Sequence, residues 1–96
     1  LAYILNRMKS IQEGPGTMLD NTMVLYGGGI SDGDRHNHDD LPLLFAGRAG
    51  GAFKQGRHIK LDAGTPMNNL LVSMLDRLGV NVEKFGDANG ELKGIF

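Results

Sequence analysis

The sequence has 96 residues, ten basic and eleven acidic, with a formal net charge of −1. That length suits one small domain, and so even a charge balance offers no basic face for nucleic acid. There is no cysteine, which excludes disulfides and thiolate metal sites; no apolar run nears the ~18 residues of a membrane span, and nothing has a signal-peptide pattern.

Leu1, Ile4, Leu5, Met8 and Ile11 recur at helical spacing, which predicts an amphipathic helix over residues 2–12. The chain opens on Leu1 rather than Met and runs straight into this pattern, so we expect a fragment whose N-terminal part is missing. Glu13-Gly14-Pro15-Gly16 stops the helix, because proline cannot continue it. Asp20-Asn21 is a turn, and the short apolar run of residues 22–26 reads as a buried strand. Gly27-Gly28-Gly29 ends that strand. A polar loop, residues 31–40, follows, and Leu43-Leu44-Phe45-Ala46 after Pro42 is a second buried strand.

Glycine then dominates residues 47–56, and residues 57–61 alternate as a short strand with Ile59 and Leu61 on one face. Thr65-Pro66 supplies an N-cap hydroxyl and a first-turn proline. Met67, Leu70, Leu71, Met74, Leu75 and Leu78 form the apolar stripe of the helix that follows, and Gly79 is placed to close it. Val80 and Val82 suggest a brief extended stretch, and from Phe85 onward the chain reads as a polar tail with a turn at residues 87–90. Helices alternating with apolar strands predict an α/β fold, the C-terminal part of a mostly parallel sheet flanked by helices. Three strands and two helices cannot close such a sheet, so the chain is read as one partial domain over residues 1–96, incomplete on its own.

The loop of residues 31–40 holds four carboxylates and two imidazoles. These are ligands for divalent ions such as zinc, manganese or calcium. The loop leaves the C-terminal end of a strand, where open α/β sheets place their crevices. His36 and His38 are two residues apart, so an extended segment points both the same way. Asp32, Asp34 or Asp39 would complete the shell. The same residue types also make solvated turns, since Asx side chains cap their own backbone. An EF-hand is excluded: counted from Asp32, the sixth and twelfth positions are Asn37 and Leu43 instead of glycine and glutamate. Further along, Arg48, Lys54, Arg57 and Lys60 form a basic run without an acid, and Arg48 and Arg57 are candidates for holding an anionic substrate. Flexible surface side chains read identically.

Leu19-Asp20-Asn21-Thr22, the run of residues 26–34, His36-Asn37-His38-Asp39-Asp40-Leu41-Pro42, Arg57-His58 and Phe85-Gly86-Asp87 together resemble a bacterial family, domain of unknown function 1552, over nearly the whole chain. The resemblance implies an exported protein of the periplasm or cell envelope. The same stretch is similar to the alkaline-phosphatase-like superfamily of phosphatases, sulfatases and phosphodiesterases, which use one or two divalent ions and a hydroxyl nucleophile. His38, Pro42, Leu44-Phe45 and Gly47 fit the second half of that superfamily's metal segment. Its first half, an Asp-His-Gly after the strand, is replaced here by Gly27-Gly28-Gly29.

The resemblance therefore implies a metal-dependent hydrolase of phosphate or sulfate esters. Its partners would be the missing N-terminal part of the chain, carrying the nucleophile, and a small anionic substrate. A non-catalytic envelope binding or scaffolding protein that has lost the full metal site is the alternative, and a purely structural metal loop is a third reading.

Overall fold

The computed structural model describes all 96 residues, which divide into two compact units, Leu1–Arg57 and His58–Phe96. In the first unit, helix α1 (Ala2–Ser10) leads into a small hairpin of β1 (Gln12–Glu13) and β2 (Gly16–Thr17), followed by β3 (Val24–Gly27) and β4 (Leu43–Ala46). A 3₁₀ turn at Ala49–Gly51 completes it. The second unit holds helix α2 (Asn68–Arg77) and the chain that wraps it.

Helix α1 stops at Ser10, two residues short of the sequence reading, because Gln12 and Glu13 are drawn into the hairpin. Gly14 at φ +59° followed by Pro15 is the residue choice of a tight primed turn, which pairs Gln12 with Thr17 and Glu13 with Gly16. Arg7 and Lys9 in the last helical turn suit the negative end of the helix dipole.

Both two-stranded sheets are antiparallel, which corrects the expected mostly parallel arrangement. A parallel pair needs a crossover of a dozen or more residues, usually a helix. No helix lies between β3 and β4; the polar loop simply brings the chain back along β3. Nor are these strands buried on both faces. Tyr26 and Leu44 are cross-strand partners, 57% and 59% exposed, whereas the opposite face pairs Leu25 with Phe45. Phe45 meets Phe53 with ring centroids 4.3 Å apart, and the Arg57 guanidinium lies 5.4 Å above the Phe53 ring.

Gly47 is the one buried residue of Leu1–Arg57. It brings the segment after β4 onto the turn before β3. The Arg48, Ala49 and Gly50 amides donate to the Leu19, Thr22 and Asp20 carbonyls at 3.3, 3.2 and 2.9 Å. Gly47 has φ +92°, and a Cβ there would lie 2.0 Å from the Thr22 carbonyl oxygen. Leu19–Thr22 and the segment at Gly47 are thus joined by backbone hydrogen bonding and close approach.

In His58–Phe96 the alternating stretch with Ile59 and Leu61 forms no strand, and Val80 and Val82 form none either. Alternation marks a face but supplies no partner for the backbone, and Ile59 and Leu61 stay 40% and 43% exposed. Thr65 does not cap α2; its hydroxyl turns back to the Asp62 carbonyl at 2.7 Å, and regular helix starts at Asn68. The far end behaves as the sequence suggests. Gly79 at φ +78° donates to Asp76, and Val80 donates to Leu75, the paired bonds of a Schellman stop.

The polar tail is held rather than loose. Asn69 and Ser73 are only 5% and 3% exposed. The Asn69 amide donates to Asn89 Oδ1 at 2.8 Å and accepts from the Asn89 N–H at 3.0 Å. Ser73 Oγ accepts the Leu92 N–H at 2.8 Å. Ile95 joins Leu70 as buried apolar side chains, and Arg77 sits 5.1 Å above the Phe96 ring. The expected stripe is therefore core only near its middle, since Met67 and Leu78 at its ends remain exposed.

Candidate functional site

The loop between β3 and β4 carries every metal-ligand candidate named above. Its shape comes from its own polar side chains. Ser31 and Asn37 close its neck: the Ser31 N–H and Oγ both donate to the Asn37 carbonyl, at 2.8 and 3.1 Å. The Asn37 N–H returns to the Asp32 carbonyl at 3.3 Å, making an isolated antiparallel bridge. Asp32 Oδ1 then accepts from the Asp34 and Arg35 amides at 3.0 and 3.2 Å. Asn37 Oδ1 accepts from the Asp39 amide at 2.8 Å. These are Asx turns, in which a short side chain stands in for a backbone acceptor. His36 and Asp40 carry positive φ, 53° and 52°, so the segment bends twice instead of running extended.

That bending undoes the premise of the two-residue spacing, which holds only for an extended strand. No group of three His, Asp or Glu side chains is placed to hold a metal ion. Asp32 is engaged with amides, and its other oxygen lies 3.9 Å from Arg35 Nε, both side chains being largely open to solvent. An exposed pair at that distance adds little stability. His38 is the candidate with an oriented ring: its Nδ1 bonds the Gly29 carbonyl. A carbonyl only accepts, so Nδ1 carries the proton and a neutral ring keeps its lone pair on Nε2.

The two candidate anion binders each have a neighbour within their own unit. Arg48 Nη1 faces Asp20 Oδ1 at 3.9 Å, and the Arg57 Nε donates to the Lys54 carbonyl at 2.9 Å beneath its stack on Phe53. As arranged, the loop of residues 31–40 does not fit the shell of a divalent ion from these residues alone.

The sequence reading placed Asp20 in a turn and gave its carboxylate no partner. Its Oδ2 accepts the Thr17 N–H at 2.9 Å and the Thr17 hydroxyl at 3.1 Å, and its own N–H donates to Thr17 Oγ1 at 3.3 Å. The Thr-x-x-Asp spacing was the available signal. The Thr17 amide, then its hydroxyl, hold the Asp20 carboxyl below the ordinary carboxylate range; partial desolvation opposes this, and Arg48 and Lys9 add to it. A carboxyl with a lowered folded-state pKa lends stability that is present above its unfolded pKa and lost as pH falls through the folded one. Thermal melts of the full-length protein should therefore fall on acidification past the usual carboxylate range. Asp20→Asn should melt lower at neutral pH and lose part of that acid dependence; parallel pH curves for the two proteins would rule the account out.

No family model matches the chain, and neither a curated protein nor a solved structure matches it.

Proposed function

We propose that this chain is a non-catalytic binding or scaffolding element, one that keeps the strand–loop–strand outline of the alkaline-phosphatase-like enzymes without an assembled metal shell. The observation that carries this reading is the fate of the loop's polar groups. Asp32 and Asn37 are used to fold the loop itself, and no three acidic or imidazole side chains converge. What remains outward is an exposed, hydrogen-bonding loop on a ribbon whose Tyr26 and Leu44 face is open. Loops held on a rigid frame are where binding surfaces concentrate. The exported, envelope location implied by the resemblance belongs to the same proposal.

One observation favours the hydrolase reading as a second possibility. Metal-ligating histidines characteristically donate their other ring nitrogen to a carbonyl or carboxylate, and His38 does so toward Gly29. His38 Nε2 would then be one ligand, with the rest of the shell and the nucleophile supplied from outside these residues.

Elemental mass spectrometry of the full-length protein separates the two. On the binding reading, wild type and the His36→Ala/His38→Ala variant carry the same, substoichiometric metal, and neither cleaves aryl phosphate or sulfate esters. Near-stoichiometric metal that disappears in the variant would reject the binding reading in favour of the hydrolase.

A further inference from the structure

We infer that Asn89-Gly90 is a site of spontaneous covalent modification whose conversion releases the C-terminal tail from helix α2. Of the seven asparagines, only Asn89 precedes a glycine. Gly90 is exposed, at φ +155°, with nothing within 4 Å of the place a Cβ would occupy, so no side chain of its own or of a neighbour crowds that Cα. Asn89 is exposed, and its Oδ1 accepts a hydrogen bond from the buried Asn69 amide, which draws electron density from Cγ. Asparagine is among the thermolabile side chains, and glycine offers the least steric resistance to ring closure.

The step is a cyclisation followed by hydrolysis. The Gly90 nitrogen attacks Asn89 Cγ; the new C–N bond forms, the Cγ–Nδ2 bond breaks, and ammonia leaves with the former Gly90 amide proton. Water then opens the succinimide at either carbonyl, giving aspartate or isoaspartate, with no change in oxidation state. Isoaspartate carries the former side-chain methylene into the main chain. The Asn89 N–H is tied to Asn69 and the Leu92 N–H to Ser73, two anchors one helical turn apart on α2. A main chain longer by one bond between them loses that register. Ile95, beyond Leu92, would lose its seat.

The test ages the full-length protein at mildly alkaline pH, maps every asparagine by peptide mass spectrometry, labels isoaspartate with an isoaspartate methyltransferase, and follows amide exchange at Leu92. Conversion at Asn89 is expected to run several-fold ahead of every other asparagine. Leu92 protection should be lost in the isoaspartate fraction and restored after enzymatic repair. Asn89→Gln, whose longer side chain closes that ring far more slowly, should keep its Leu92 protection on ageing. An intact Asn89 after other asparagines have converted would overturn the proposal. So would isoaspartate with Leu92 still protected, or equal loss of protection in Asn89→Gln.

Discussion

Gly47→Ala is expected to disrupt the contacts of Leu1–Arg57 around it, at a cost of at least about 3 kcal/mol. Two penalties combine. At φ +92° an L-residue is strained by roughly 1–3 kcal/mol wherever it stands. The added Cβ would also lie 2.0 Å from the Thr22 carbonyl oxygen, and 3.1 Å from that of Leu19. Neither is the end of a flexible side chain, so the backbone must move. Moving it breaks the amide bonds from Arg48, Ala49 and Gly50 that tie the segment after β4 to the turn before β3. Gly50→Ala is the matched control. Gly50 also has positive φ, at +67°, yet nothing lies within 4 Å of its missing Cβ. It should cost only about 1–2 kcal/mol. Hydrogen exchange of the Ala49 and Gly50 amides in the full-length variants reads this directly. Equal effects of the two substitutions would mean that close approach to Thr22 is not what matters.

The second large effect belongs to Asn69. Asn69→Ala should destabilise His58–Phe96 by about 2–3 kcal/mol, the sum of two lost hydrogen bonds and a small cavity. Because Asn69 is 5% exposed, water cannot readily replace the missing amide. Asn89 lies at the surface and can rehydrate, which keeps the loss from being larger. Asn69→Asp separates the two bonds. It keeps an oxygen for the Asn89 N–H and replaces the donor that faced Asn89 Oδ1 with an acceptor. Repulsion between the two oxygens should make it at least as damaging as alanine by denaturant unfolding. A neutral Asn69→Asp would show that the side-chain pair contributes nothing.

How far the fold was legible follows from what each residue pattern encodes. β4 was legible residue for residue, because Pro42 and Gly47 bracket a run with no polar member. Gly79 was legible because a left-handed residue after a helical stripe has few other uses. Pairing direction was not, since apolar content says that a strand is covered and nothing of how the chain returns to it. The tail was misread for a related reason. Asn69 and Ser73 look like surface positions in a helical repeat, and their burial depends on Asn89 and Leu92, about twenty residues away in the chain. In the loop, residue types alone were read as ligand chemistry, and residue type carries no information on whether the side chains converge. The solvated-turn reading offered beside it is the one whose bonds form, with Asp32 and Asn37 each accepting from neighbouring amides.

The antiparallel ribbon has a consequence for handling. β3 and β4 pair only with each other, so each has an outer edge with no further strand beside it, next to the exposed Tyr26 and Leu44. Such an edge recruits any extended chain that meets it, and charge is the usual deterrent. With a net charge of −1 and an isoelectric point near 6.3, these residues have almost none to spare near neutrality. Taken by themselves into neutral buffer they should self-associate through strand edges, and mildly alkaline, low-salt conditions should keep them apart.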